Sequence, residues 1–370
     1  MVEAGSDVAK ILVTGASGSI GHHVVNSIIE AGHCPILYLR RDDPRLFPDL
    51  PPETKKVGPF TKESLATAME EVDAVIHLAG AIRWGLAKGG LLDELREVIV
   101  NGTKSVMEAA KDAQVPTVVF ASSAAVYGPP IEKNDGDIIM ISEDWPLASS
   151  GAYGVTKAEA EKVVLGSPTV DGRIVRPSIA LGENVETRSR ELYTRMSRYK
   201  PFLIGDGSGV IQYSDVNDIA RGLIQVALDP RASGQMYNLI SGHFTQREIV
   251  DAYKLVVDAW LIYPMPPLLA KNAGRLFDFI SLVSGKPVSI TLELVQHAMN
   301  TSSRFSSERI ERELGFVPAQ RWKTMERTLM WLNEEYHKDE RLLTGELPRA
   351  QRIFDFCNNR MQVDADDPHG

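Results

Sequence analysis

Short apolar runs alternate with helix-like segments through the first half of the chain. KILVTG, PILYLR, DAVIHLAG and TVVFASS read as strands, and helical patterns follow Gly21 and span Lys62 to Glu71 and Leu91 to Ala113. That βαβαβαβ order predicts an α/β fold: a doubly wound, Rossmann-like parallel sheet covered by helices, because parallel strands need long right-handed crossovers. A further helix is expected from about Ala152, leading into RIVRPSIAL. Beyond it the alternation weakens. Ile249 to Trp331 has apolar residues at mixed helical spacing, broken by turns at Pro264 to Pro267 and Gly285 to Pro287, and serves either as core packing or as the wall of an apolar pocket. The expected division is a Rossmann-like sheet domain over 1–177 with return segments around 211–240. A smaller, mostly helical substrate domain would span 178–210 and 241–345. A tail, 346–370, would follow, its acidic end VDADDPHG lacking fixed structure.

The junction of the first strand and helix carries the first chemical signal. In ILVTGASGSIGHHVV, Gly15 permits the tight turn, Gly18 lets a pyrophosphate approach the backbone, and Gly21 lets the helix pack closely. The amides of Ser17, Ser19 and Ile20 on the same turn are candidate phosphate donors. An acidic residue about 20 positions beyond such glycines would bind the ribose hydroxyl of NAD. Leu39 stands there instead, followed by Arg40 and Arg41. A guanidinium suits a ribose phosphate, so NADP is the preferred cofactor and NAD the other, unless the two arginines are only solvated surface.

A second signal is SGAYGVTK, in which Tyr153 and Lys157 are four residues apart on one helix face. A phenol with an ordinary pKa near 10 is a poor acid or base at neutral pH, and a neighbouring ammonium stabilises the phenolate. The pair is therefore suited to exchanging a proton with a hydroxyl or carbonyl. Ser123 ends the strand TVVFASS at the carboxyl edge where ligands bind, and is either a hydrogen-bond donor to the reacting oxygen or a strand cap. Asn101, in VNGTKSVMEAA, either holds a water or the central helix near Lys157 or is a helix-packing residue. Trp84 is a candidate substrate contact or a loop anchor.

Composition narrows the partners. The net charge of -9 over 370 residues offers no basic footprint for nucleic acid. The N-terminus lacks a secretory pattern and no apolar run is long enough to span a bilayer, so the chain reads as cytoplasmic. Cys34 and Cys357 suggest neither a disulfide framework nor zinc and are expected to be inert. The eight histidines fall in no metal-ligand spacing, so no metal is expected.

The combination of TGASGSIG, HLAGA, VNGTKSVMEAA, FASSAAVYG, YGVTK, VRPSIALGE, YSDVNDIARG, GQMYNLISG and ELGFVP resembles the extended short-chain dehydrogenase/reductase family, from Lys10 to Leu332. The resemblance implies a catalytic triad of Ser123, Tyr153 and Lys157, with Lys157 also on the nicotinamide ribose. It implies that Ala79 and Gly80 line the cofactor and that the backbone near Pro177 and Ile179 faces the nicotinamide. It also admits a homodimer through paired helices. Ile179 and Ile211 stand where nucleotide-sugar members usually carry Asn and Arg, and Pro59 stands where an adenine-binding Asp is common. The pattern is closer to the 3β-hydroxysteroid dehydrogenase and dihydroflavonol reductase branch. Hydride transfer to or from a mostly apolar small molecule is therefore the leading expectation. A nucleotide-sugar epimerase or dehydratase with tightly held NAD, and a non-catalytic NAD(P)-sensing protein, are the alternatives.

Overall fold

The computed structural model describes residues 8–43, 45–86, 88–131, 137–185, 194, 202–257, 263–286, 288, 290–337 and 349–366. Its centre is a seven-stranded sheet built from β1 (Lys10–Thr14), β2 (Cys34–Leu39), β3 (Lys55–Val57), β4 (Ala74–His77), β5 (Thr117–Ala121), β6 (Asp171–Pro177) and β7 (Met236–Leu239). The order across the sheet is β7-β6-β5-β4-β1-β2-β3, and every pairing is parallel. This is a doubly wound Rossmann-like sheet whose order reverses between β1 and β4, so a crevice opens beyond their carboxyl ends.

β4 and β5 are buried at every position, as expected of strands covered on both faces. On one face, α1 (Ser19–Glu30) packs with α6 (Val216–Leu228), burying Val24 and Ile28 against Ile219 and Leu223. On the other lie α2 (Lys62–Ala68), α3 (Gly90–Leu95), α4 (Gly102–Asp112) and α5 (Ala152–Leu165), which share a core containing Leu65, Leu95, Val106 and Ala160. The link from α3 to α4, Arg96–Asn101, is a π-helical turn. Such single wide turns are frequent at functional sites.

Two parts of the sheet escape the apolar pattern. β3 reads KKV and is a short, half-exposed edge strand, where charge is tolerated and protects against edge pairing. β7 returns from far along the chain to complete the opposite edge.

The later chain adds small sheets and helices. Ile179–Leu181, Val210–Asp215 and Gly242–Thr245 form a three-stranded sheet. The helical part consists of α7 (Gln246–Tyr253), α8 (Pro267–Ser284), α9 (Leu292–Ala298), α10 (Glu308–Leu314), α11 (Arg321–Tyr336) and α12 (Ala350–Asp366). Trp322, Tyr253, Phe244 and Leu329 share a core there. The acidic end expected to lack structure is helical as far as Asp366. The reason is packing: Ile353 and Cys357 are buried, Phe356 meets Trp322 edge-on at 5.7 Å, and Asp364 pairs with Arg321 at 2.5 Å. Residues 367–370 lie outside the described residues.

Candidate active site

The glycine turn sits at the carboxyl end of β1, beside β4. Gly15 adopts φ 75°, and a Cβ there would lie 2.8 Å from the Ala79 nitrogen, so the turn and the end of β4 touch through bare backbone. A Cβ on Gly21 would lie 2.3 Å from the Gly15 carbonyl oxygen, so α1 abuts the turn itself. Ser17 and Gly18 are exposed, and Ser19 and Ile20 half-buried. No side chain caps α1 and no acid occupies its first turn, which leaves amide donors for an anion. These features fit a dinucleotide pyrophosphate. Arg40 is exposed just past β2, the neighbour of β1.

Beneath this turn, His77 is fully buried between two threonines, with Nδ1 2.7 Å from Thr14 Oγ1 and Nε2 3.1 Å from Thr103 Oγ1. Thr103 donates its own proton to the Ile99 carbonyl, so it accepts from His77 Nε2, and Nδ1 accepts from Thr14. Thr14 in turn accepts from the Ala79 amide at 3.3 Å. Burial, and to a lesser degree the Lys157 charge, lowers the His77 pKa to about 3, so the ring is neutral. This chain of bonds holds Ala79 and Gly80 at the crevice.

The proton-transfer candidates come from β5 and α5. Tyr153 and Lys157 are both buried on α5, on the side that packs against the sheet. Lys157 Nζ donates to the Ala121 carbonyl at 2.6 Å and lies 4.4 Å from the Phe120 ring centroid and 5.8 Å from that of Tyr153. Burial lowers its pKa to about 8, against the upward pull of Glu161. A Cβ on Gly80 would lie 3.9 Å from Lys157 Nζ, which places Gly80 beside the lysine. Ser123 is half-buried just past β5, where its Oγ accepts from the Ala125 amide at 3.2 Å and caps the short helical turn Ala124–Tyr127. The capping oxygen keeps its own O–H for another acceptor.

Asn101 differs from its expected surroundings. It closes the π turn, is exposed, and donates from Nδ2 to Glu97 Oε2 at 2.7 Å, so its side chain is held by Glu97 and not by groups around Lys157. Pro177 ends β6 and is buried, whereas Ile179 is exposed and pairs with Tyr213.

Two features had little signal in the sequence. Below Ser123, Arg176 and Glu161 form a buried two-pronged pair at 2.8 and 2.7 Å, and Ser122 donates to Glu161 at 2.5 Å. Arg176 also donates to Tyr127 Oη and to the Glu143 carbonyl. The other is a pocket beside Tyr153, lined by Trp84, Ser149, Ser150, Asp278 and Glu293. The Trp84 and Tyr153 ring centroids are 5.7 Å apart. Ser150 donates to Glu293 at 3.4 Å, and burial raises the Glu293 pKa to about 7.

The raised Glu293 pKa has a stability consequence. Because the folded carboxyl titrates above its ordinary 4.5, its stabilising contribution is present below that value and is lost as pH rises to about 7. Glu293→Gln should flatten this part of the profile and gain about 3 kcal/mol over the parent at pH 8, as checked by urea denaturation across pH. An unchanged pH dependence would show that Glu293 ionises as freely in the folded chain as in the unfolded one.

A family model described as "NAD dependent epimerase/dehydratase family" matches residues 11–239, from β1 through β7. The chain belongs to that family. It is 30% identical over 253 residues to a 3-beta-hydroxysteroid dehydrogenase of Mycolicibacterium neoaurum, covering 64% of this chain and 67% of the relative. It is 26% identical over 330 residues to a 2-alkyl-3-oxoalkanoate reductase of Stenotrophomonas maltophilia, covering 84% and 94%. The chain spans about two-thirds of the length of the hydroxysteroid dehydrogenases it matches. Among solved structures, the UDP-glucuronic acid 4-epimerase of Bacillus cereus in complex with UDP-glucuronic acid and NAD superposes with TM-score 0.67 at 17% identity, covering 89% of this chain and 100% of that one.

Proposed function

We propose that this protein is an oxidoreductase that interconverts a hydroxyl and a ketone on a mostly apolar small molecule, using NADP(H) in preference to NAD(H). The observation that carries the reading is the placing of Tyr153 and Lys157 on one buried face of α5, with the Lys157 ammonium on the Ala121 carbonyl at the end of β5, two residues before Ser123, in a dinucleotide-type sheet. The nicotinamide, when bound, supplies or accepts the hydride. Ser123 donates to the substrate oxygen, Tyr153 gives or takes the hydroxyl proton, and the Lys157 ammonium favours the phenolate. The relatives that act on 3β-hydroxysteroids and 3-oxoalkanoates by name support an alcohol or ketone substrate. Trp84 supports an apolar one, since its ring forms part of the pocket beside Tyr153.

For the cofactor, Arg40 supplies the charge expected to meet a ribose phosphate. Fluorescence titration should show NADPH binding more tightly than NADH, and Arg40→Ala should weaken NADPH by about tenfold while leaving NADH unchanged. Preference for NADH would remove Arg40 from the site. The family name also carries an epimerase or dehydratase reading, in which NAD stays bound and the hydride returns to the same substrate. Dinucleotide that survives purification without exchanging would favour that reading. Failure to bind either dinucleotide would overturn both.

A further inference from the structure

The helix α8 is turned inside out for a helix on a water-facing surface. Its larger apolar side chains point outward: Leu268 is 68% exposed, Leu276 58%, Phe279 60% and Val283 72%, with Leu269, Phe277, Ile280 and Leu282 also exposed. The buried positions are the small Ala270, Gly274 and Ser281. Gly274 lies so close to its support that a Cβ would come within 2.8 Å of the Leu292 Cα. At 100° per residue, Leu268, Phe279, Val283, Leu276, Leu269 and Ile280 fall on one contiguous face. An apolar face of this extent on one element marks an interaction site.

We infer that α8 docks this protein on the surface of an anionic lipid bilayer, lying in the interface with its apolar face among the acyl chains. Charge selects this occupant. The whole chain is acidic, with a net charge of -9, yet Pro267 to Lys286 contains Lys271, Arg275 and Lys286 against a single acid, Asp278. Asp278 turns toward the protein, accepting from the Leu292 amide at 3.1 Å and lining the pocket beside Tyr153. Arg275 and Lys286 are exposed, and their long stems can lie along the apolar face while their charges reach lipid phosphates. A two-fold contact with a second copy would set Arg275 near its own symmetry mate on this face. Among the described residues, no helix is long and apolar enough to cross a membrane, and the charges within the 18 residues of α8 suit a helix that lies on the surface.

The inner side of the helix gives the docking a use, which rests on the proposed function. Ser281 abuts the Trp84 loop: a Cβ on Gly85 would lie 2.5 Å from its Oγ, and Val288 donates to the Trp84 carbonyl. The helix is thus one wall of the pocket, and docking brings that wall to the lipid in which an apolar alcohol or ketone dissolves.

The test is co-sedimentation of the full chain with vesicles made of equal parts phosphatidylcholine and phosphatidylserine. The parent should partition onto the vesicles, and Phe279→Ser combined with Val283→Ser should bind at least about tenfold more weakly, with an unchanged circular dichroism spectrum and melting temperature. Vesicle binding that is absent from the parent, or equal in the variant, overturns the inference. So does a concentration-dependent dimer in sedimentation equilibrium that the variant abolishes, because the covering surface is then a second copy. Neither assay contains cofactor or substrate, so failure of the oxidoreductase reading would leave the vesicle result standing.

Discussion

Tyr153→Phe is expected to lower turnover by a factor of about 10² to 10⁴ while changing dinucleotide affinity by less than about twofold. The substitution deletes one oxygen and its proton and leaves the ring, which packs beside Trp84 at 5.7 Å on a buried face of α5. Its cost to stability should therefore stay within about 1 kcal/mol. If Tyr153 carries the proton to or from the substrate oxygen, the loss falls on the chemical step, because phenylalanine has nothing to donate. The check is hydride transfer between NADP(H) and an apolar alcohol or ketone that the parent turns over, followed by nicotinamide absorbance, alongside a separate titration of the dinucleotide. Loss of turnover and binding in equal measure would recast Tyr153 as a cofactor contact, and unaltered turnover would remove it from the mechanism.

The parts of this arrangement that sequence alone predicts are those whose chemistry is local. The glycine turn follows directly from a strand, three glycines and a helix, and the Tyr153 and Lys157 pair from a four-residue spacing. β4 and β5 announce themselves because strands buried on both faces read as continuous apolar runs. β3 does not, because an edge strand reading KKV obeys the opposite rule. Asn101 is a subtler case. The sequence marks the residue, but only the π turn and its bond to Glu97 show which way its amide is held. Glu293 lies far along the chain, near the start of α9, where an acid is ordinarily a helix-start residue; its place in the Tyr153 pocket depends wholly on tertiary folding. The helix α12 likewise exists through Trp322 and Arg321, which its own polar sequence does not reveal.

Glu161 follows Lys157 by four residues and Tyr153 by eight and so shares their helix face, a spacing that by itself gives an acid no particular role. What the sequence withheld was its partner. Arg176 and Glu161 are each only 2% exposed, and removing the carboxylate would leave a buried guanidinium without its hydrogen-bonded counter-charge. Glu161→Leu should therefore cost about 3–5 kcal/mol in urea denaturation, whereas the double change with Arg176→Met should cost much less than the sum of the two single changes. Equal additivity would mean that the pair contributes no mutual stabilisation. A milder variant separates this scaffold role from an effect on the reaction. Glu161→Gln keeps a hydrogen-bonding group for Ser122 and Arg176 but removes the charge that pulls the Lys157 pKa upward. The Lys157 pKa should then fall below about 8, and the alkaline limb of the turnover profile should move to lower pH, because less of the lysine is charged to support the phenolate. A lower melting temperature with an unmoved pH profile would confine Glu161 to holding β6 against α5. A shifted profile in folded protein would make it the positioning residue through which the buried salt bridge and the proton-transfer pair share one charge balance.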